Sequence, residues 1–336
     1  MSRLSRREFL KAASALMANI GLSKYMFGIP QASTLMGSPG LPKRKDVIPL
    51  PAKRVSPKSA VRMVADALTD LSTGRVPVLW LHGLACSGCS VSFLNSAFPD
   101  PAALITRYLS LDYSSVVSAA SGAVAMQVIN QRISAGEFLL VVEGAVPVGM
   151  PEACRFGDEP FSDLLVRAAN KSKATIALGN CAAFGGIPAA PPNTVGAEGV
   201  QSFFRSQGIS IPVINLPGCP THPDWLVGTL VYLLKLGMPT LTEDGSPEMF
   251  FGEIIHSQCP HFYQYNSGEF AQFFGEEGCL FMLGCLGIRT YADCPTRRWN
   301  NKQNWCVEAG GPCIGCASPE FAQQKDFPFY RIRELE

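Results

Sequence analysis

The sequence predicts a parallel α/β domain followed by an irregular domain that is rich in cysteine. Between residues 76 and 240, short apolar runs of strand length alternate with segments of helical periodicity. This alternation is typical of a parallel sheet covered by helices. After Thr240 the periodicity weakens and cysteines become dense from Cys259 to Cys316. The apolar residues there are too irregular for a conventional core, so we expect bound metal to organise this second domain.

Apolar periodicity places the elements of the first domain. Strands are expected at residues 76–81, 138–142, 175–178 and 212–216. Helices are expected at 122–131, 161–170 and 224–235, and another is predicted at the start of the domain by Val61, Val64, Leu68 and Leu71. The segment 224–235 contains the longest apolar run of the chain. It is too short to span a bilayer, so we expect a buried core helix.

The composition is that of an ordinary globular protein with many cysteines. The chain has 336 residues, 47% of them hydrophobic, and a formal net charge of +1, so it lacks the basic excess of a nucleic-acid-binding protein. Twelve cysteines are too many to be incidental and too sparse for a small disulfide scaffold. The compartment therefore decides their interpretation, because exported proteins form disulfides and cytosolic proteins keep thiols reduced.

The N-terminal residues match an export signal. The run SRREFLK at residues 5–11 carries the twin-arginine pattern, and a weakly apolar run follows at 12–22. We expect a twin-arginine signal peptide at 1–32, a linker at 33–57, an α/β domain at 58–240 and the C-terminal domain at 241–336. The alternative at the N-terminus is a surface helix with a chance Arg–Arg pair. Because the twin-arginine route carries folded proteins, metal-bound thiolates are compatible with the expected periplasmic location.

Four cysteines follow predicted strands. Cys86 and Cys89 come after the first strand, Cys181 after the third and Cys219 after the fourth. A C-x-x-C pair alone suits either dithiol redox chemistry or half of a metal site. In an open parallel sheet, ligands gather outside the carboxyl ends of the strands, so we expect these four thiols to meet there. Four thiolates suit zinc or a four-iron cluster.

The second domain offers two more sets of four ligands. The first consists of His256, Cys259, Cys279 and Cys285, and the second of Cys294, Cys306, Cys313 and Cys316. The three sets use eleven cysteines and one histidine, and leave only Cys154, which we expect to be an inert thiol. Three structural zinc sites remain an alternative, but they do not explain why one set lies at the functional edge of a sheet.

These motifs resemble the small, electron-transferring subunit of periplasmic nickel–iron hydrogenases. The resemblance runs from the twin-arginine signal through the C-x-x-C pair, CAAFGG at 181–186, PGCP at 217–220 and the C-terminal ligand sets. It implies a flavodoxin-like N-terminal domain and a separate large subunit that carries the nickel–iron site. It also implies three iron–sulfur clusters. The proximal cluster is expected on Cys86, Cys89, Cys181 and Cys219, the medial on Cys294, Cys306, Cys313 and Cys316, and the distal on His256, Cys259, Cys279 and Cys285.

The sequence departs from the commonest family pattern at Cys306. Most relatives have proline there, which leaves three cysteines and a three-iron medial cluster. A fourth thiolate permits a fourth iron, as in the nickel–iron–selenium subgroup, so we expect all three clusters to be four-iron clusters. Ala85, where many relatives carry an acidic residue, also fits that subgroup. Gly88 and Gly186 stand where oxygen-tolerant relatives have extra cysteines, so that special proximal cluster is not expected.

The expected function is electron relay during dihydrogen oxidation or proton reduction, with no bond-breaking residue in this chain. The expected partners are a large subunit, with which the chain forms a heterodimer, and an electron acceptor. The acceptor is expected to be a c-type cytochrome or a membrane protein, and a membrane protein would recruit the chain to the membrane. The alternatives are a stand-alone exported iron–sulfur carrier and a structural zinc protein. A thiol–disulfide oxidoreductase that uses Cys86 and Cys89 leaves the other ten cysteines unexplained.

Overall fold

The computed structural model describes residues 77–97, 100–103 and 110–323. The predicted signal peptide, linker and first helix lie outside these residues. The main sheet consists of β1 (Pro77–His82), β2 (Ser110–Ser114), β3 (Phe138–Glu143), β4 (Ser172–Leu178) and β5 (Val213–Leu216). Neighbouring strands are parallel, in the order β2-β1-β3-β4-β5. This is the flavodoxin-like order, whose switch point lies between β1 and β3. The predicted α/β fold class is confirmed.

The apolar runs form the strands because each is buried on both faces. Every residue of β3 is buried, as are five of the six residues of β1. The four predicted strands are present, with ends that differ from the prediction by at most three residues. Strand β2 was not predicted, because its sequence Ser-Leu-Asp-Tyr-Ser lacks an apolar run. It pairs only with β1, at the edge of the sheet, where less of the strand is buried.

Ten labelled helices accompany the sheet in the described part of the chain. They are α1 (Gly88–Leu94), α2 (Gly122–Ala135), α3 (Phe161–Ala169), α4 (Asn180–Phe184), α5 (Val200–Ser206), α6 (Pro223–Leu236), α7 (Glu248–Phe251), α8 (Ile255–Gln258), α9 (Phe262–Ser267) and α10 (Cys294–Arg297). The three helices predicted in this range correspond to α2, α3 and α6. None of the helices described is long and apolar enough to cross a membrane.

Short elements complete the α/β part. One helical turn lies at Pro101–Ala103, and 3₁₀ turns lie at Pro151–Ala153 and Ile187–Ala189. Two-residue strands pair antiparallel, Val146–Pro147 with Ala197–Glu198 and Arg155–Phe156 with Glu159–Pro160. These elements lie in the loops outside the main sheet.

The two faces of the sheet bury different cores. Successive side chains of a strand point to opposite faces, so Leu79 and Leu81 pack with α2, α3 and α5, whereas Val78 and Trp80 pack with α6. The C-terminal segment joins this second core, and contributes Phe250 to it. The irregular segment is therefore anchored on the sheet and α6 rather than built around a separate apolar core.

A buried polar contact fixes the C-terminal segment to α6. Trp225 of α6 donates its indole N–H to Asp293 at 2.9 Å, directly before Cys294. The guanidinium of Arg297 contacts Asp293 at 2.6 Å and Asp224 at 3.2 Å, and all these groups are largely buried. Because a charge-assisted network of this kind is directional, it holds the first turn of α10 and its cysteine in one orientation.

Candidate metal centres

The predicted proximal ligands lie together at the carboxyl edge of the sheet. Cys86 and Cys89 follow β1, Cys181 lies in the first turn of α4 after β4, and Cys219 follows β5. The pKa of Cys181 is raised to about 11, chiefly by burial and further by the nearby Cys219 and Cys86 thiols. Cys89 is also within electrostatic range of Cys181. The parallel strands thus bring four thiols from three loops into one place.

Glycines allow the backbone to approach these sulfur atoms closely. Gly179 has φ +89°, and a Cβ at this position would lie 2.5 Å from Cys89 Sγ. Gly186 has φ +49°, and its Cβ would lie 2.8 Å from Cys181 N and 3.0 Å from Cys181 Sγ. Only glycine satisfies both the backbone conformation and the lack of space. The thiols therefore have tightly defined positions.

A buried carboxylate that the sequence analysis missed holds the Cys89 loop. Glu143 at the end of β3 is 2% exposed, and its Oε1 accepts from the backbone N–H groups of Cys89 at 3.0 Å and Ser90 at 3.3 Å. The Ser90 hydroxyl donates to its Oε2 at 2.6 Å, and His82 Nε2 lies 3.0 Å from the same oxygen. Burial raises the pKa of Glu143, but the hydrogen bonds from His82 and Ser90 outweigh burial and leave the pKa lowered. The sequence signal that could have identified Glu143 is an acidic residue at the end of an otherwise apolar strand.

The predicted medial ligands surround a cavity. Cys294, Cys306, Cys313 and Cys316 all line a volume of about 300 Å³ whose remaining wall is mainly apolar and includes two tryptophans, Trp299 and Trp305. Cys306 is exposed, Cys294 and Cys313 are buried, and Cys316 is half-buried. Burial is the largest cause that raises the pKa of Cys316, to about 12. The four medial thiols therefore line one space, which the predicted proximal ligand Cys219 lines as well.

The three predicted distal cysteines also lie together. The pKa of Cys259 is raised to about 11. Burial is the main cause, and the nearby Cys285 and Cys279 thiols raise the pKa further, whereas a backbone hydrogen bond from His261 lowers it. His256 lies in α8, and Cys259 N donates to the His256 carbonyl at 3.2 Å. Burial lowers the pKa of His256, which favours the neutral imidazole that binds metals. Its ring packs against Tyr265, with the ring centroids 4.4 Å apart.

Cys154 lies apart from the three ligand sets. Its Sγ is 3.9 Å from the carbonyl oxygen of His82, and burial raises its pKa. Burial of this kind makes a thiol less reactive, because the thiolate is the nucleophile. The expectation of an inert thiol agrees with this environment.

Comparison with known proteins places the chain in a family. The family model of the NADH ubiquinone oxidoreductase 20 kDa subunit matches residues 86–233, and the model of the C-terminal part of the NiFe/NiFeSe hydrogenase small subunit matches residues 251–330. The chain is 38% identical over 348 residues to the periplasmic NiFeSe hydrogenase small subunit of Desulfomicrobium baculatum, with 97% of this chain and 98% of the relative covered. The chain belongs to the hydrogenase small-subunit family. The resemblance inferred from the motifs is confirmed.

Further relatives agree. The small subunit is 38% identical to the periplasmic NiFe hydrogenase small subunit of Solidesulfovibrio fructosivorans, with 80% of this chain and 84% of the relative covered. Its fold matches the structure of the H2-activated NiFeSe hydrogenase of Dm. baculatum with a TM-score of 0.74 and 41% identity, over 77% of this chain and 99% of that one. Against the NiFeSe hydrogenase of Desulfovibrio vulgaris Hildenborough the TM-score is 0.73 and the identity 39%, over 76% and 97%.

In hydrogenases of this family, dihydrogen reacts in a subunit other than the small subunit. The relatives are hydrogenase small subunits, and in the solved hydrogenases the catalytic site lies in the large subunit. The chain is thus part of an oxidoreductase without carrying its catalytic metal.

Proposed function

We propose that this small subunit relays electrons through three iron–sulfur clusters between the nickel–iron site of a large subunit and an external acceptor. The observation that carries the proposal is the cavity of about 300 Å³ bounded by Cys294, Cys306, Cys313 and Cys316. Thiolates are the ligands that iron–sulfur clusters take from proteins, and a cluster held there would supply one-electron redox chemistry. The proximal and distal sets offer the same donor chemistry, with one neutral histidine in the distal set.

The geometry favours clusters over zinc. A tetrahedral zinc ion holds its sulfur ligands at about 2.3 Å, so its thiolates converge on a point. The medial thiols line a partly open volume much larger than one ion. We therefore assign a cluster to the medial set, and extend the assignment to the other two sets because they offer the same donor chemistry.

The position of Cys306 supports a four-iron medial cluster. It is exposed overall, yet it lines the same cavity as the other three medial thiols. Although the residue is exposed overall, its thiol is partly shielded by the surrounding protein, which raises its pKa, and the nearby Cys285 of the distal set raises the pKa further. A three-iron cluster is expected where the fourth cysteine is absent, and here a fourth thiolate lines the cavity, so we expect a four-iron cluster.

An apolar surface beside the proximal set fits a large partner subunit. Val91 of α1, two residues after Cys89, is 61% exposed, and Ile187, next to Gly186, is 48% exposed. An interface with a second subunit would bury these side chains. We assign this edge to the large subunit of the heterodimer.

The distal set suits the exit of electrons. Tyr263 and Phe273 lie in the chain between the predicted distal ligands Cys259 and Cys279, and each is 74% exposed, so this part of the chain offers aromatic side chains to an acceptor. We propose a c-type cytochrome or a membrane protein as acceptor, and a periplasmic location reached by the twin-arginine route. The periplasmic relatives support the location.

The test is metal analysis of the purified heterodimer, combined with electron paramagnetic resonance in the oxidised and reduced states. We expect about twelve irons and as many acid-labile sulfides assignable to this subunit, and no oxidised three-iron signal. About eleven irons with that signal would keep the relay but remove Cys306 as a ligand. Zinc in place of iron would refute the proposal.

A further inference from the structure

We propose that Asn180 is a positioning residue that fixes the medial ligand Cys316 against the loops carrying the proximal ligands. The inference rests on the proposed function, because it assumes clusters on both ligand sets. Asn180 is 1% exposed and directly precedes Cys181. Its side-chain Nδ2 donates to the carbonyl oxygen of Cys316 at 3.1 Å and to that of Ser318 at 2.8 Å.

The same residue is tied to the other proximal loop. The backbone N–H of Asn180 donates to the Gly218 carbonyl at 2.9 Å, directly before Cys219. Asn180 is thus joined to Cys181 by the chain, to the Cys219 loop by its backbone and to the Cys316 loop by its side chain. These three loops belong to two different ligand sets, so Asn180 sets the spacing between the sets.

The contact that this spacing preserves runs directly between ligands. The backbone of Cys219 lies close enough to the Cys316 thiol to lower its pKa, so a proximal ligand lies beside a medial one. An analogous contact joins the next pair of sets, because the backbone N–H of Cys313 donates to Cys285 Sγ at 3.4 Å. Backbone groups of one ligand thus lie near the sulfur of another at both junctions, and between Cys313 and Cys285 the contact is an amide-to-sulfur hydrogen bond. Such bonds to ligand sulfur stabilise the reduced state of a cluster and raise its potential.

The chain offers a matched control at Asn215. It is fully buried on β5, and its Nδ2 donates to the Asp244 carbonyl at 2.6 Å. Asn215 and Asn180 each have an Oδ1 without a hydrogen-bond partner among the described residues. Asp244 belongs to no ligand set. Replacing Asn215 therefore removes a similar side-chain hydrogen bond between two segments, but one that does not hold a predicted ligand.

The experiment compares Asn180→Ala with Asn215→Ala in the complete heterodimer. The measurements are iron content, the medial midpoint potential by a redox titration followed by electron paramagnetic resonance, and dye reduction by dihydrogen. In Asn180→Ala we expect parental iron content and a fall in the medial potential of up to about 59 mV, the one-electron equivalent of a tenfold change. Dye reduction falls with it. In Asn215→Ala the potential stays at the parental value.

Two results would overturn the inference. One is a parental medial potential in Asn180→Ala at full iron content, and the other is an equal shift in both variants, which would indicate general loosening. If Asn180→Ala loses iron, the test moves to Asn180→Ser, whose hydroxyl keeps one hydrogen-bond donor. At full iron content, Asn180→Ser must lower the medial potential, and an unchanged potential would overturn the inference. The proposed function fails separately, if the parent protein itself lacks a medial cluster signal.

Discussion

Replacing Gly179 with alanine should remove the proximal cluster while the chain still folds. The new Cβ would lie 2.5 Å from Cys89 Sγ, whereas ordinary contact begins at 3.4 Å. The sulfur must therefore move by roughly 1 Å, several times the tolerance of about 0.2 Å for a metal–ligand distance. Rotating the thiol away removes the overlap, but it also removes the ligand. Either response leaves the proximal set with three cysteines.

Gly237 provides a control with the same backbone strain. Gly179 has φ 89° and ψ 159°, and Gly237 has φ 82° and ψ −152°, a region that only glycine occupies readily. No described atom lies within 4 Å of a Cβ at Gly237. Alanine at either site costs about 1–3 kcal/mol in backbone strain. Only the Gly179 variant adds the collision with a ligand.

The assay is iron content, with electron paramagnetic resonance of the reduced heterodimer. Gly179→Ala should lose about four of about twelve irons, together with the proximal signal and dihydrogen-driven dye reduction. Gly237→Ala should keep its iron and lose a few degrees of melting temperature, at roughly 2–4 °C per kcal/mol. Full iron and an unchanged proximal signal in Gly179→Ala would show that Cys89 is not a ligand. Equal iron loss in both variants would show that strain, rather than the collision, is responsible.

Three further predictions test other parts of the molecule. Cys306→Pro should lower iron by about one per heterodimer and give an oxidised three-iron signal; unchanged iron would exclude Cys306 as a ligand. Burial lowers the pKa of His222 in the folded state. As the pH falls below about 6.5, the unfolded state therefore binds a proton at His222 before the folded state does. The free energy of unfolding should fall as a result, by at most about 1.4 kcal/mol per pH unit. His222→Asn keeps a helix-capping acceptor, and its melting temperature should depend less on pH between 7.5 and 5.5; an unchanged dependence would contradict this. Phe161→Ala, at a fully buried side chain, should cost about 3–5 kcal/mol in thermal unfolding, whereas Tyr263→Ala, at a residue 74% exposed, should cost less than about 0.5 kcal/mol; equal effects would refute the core assignment.

The sequence predicted the sheet well because parallel strands are buried on both faces. The run 138–142 is apolar throughout, and it is found as β3 with one added residue, Glu143. The edge strand β2 escaped prediction because Leu111 and Tyr113 are separated and flanked by polar residues. Periodicity detects burial, so an element with little burial leaves little pattern.

The sequence suggested the candidate ligands, but it did not suggest the residues that hold their loops. Cysteine spacing identified Cys86 and Cys89, because C-x-x-C is a local pattern. Glu143 contacts Cys89 across 54 positions of the chain, and Asn180 contacts Cys316 across 136. Such contacts depend on which loops the fold brings together, and an isolated Glu or Asn carries no sign of them in the sequence.

Glu143 also bears on how the proximal thiols behave before metal binds. Burial raises the pKa of Cys89, and the nearby Glu143 carboxylate raises it further. A thiol in that environment stays protonated at neutral pH, and a protonated thiol is a poor nucleophile for disulfide formation. Yet Glu143 also holds the Cys89 backbone N–H at 3.0 Å, so the loop is in place for a metal to bind. The carboxylate therefore disfavours the free thiolate while it positions the thiol, and a metal ion bound there would supply positive charge that favours the deprotonated form, in addition to the hydrogen bond from Thr221 N at 3.5 Å.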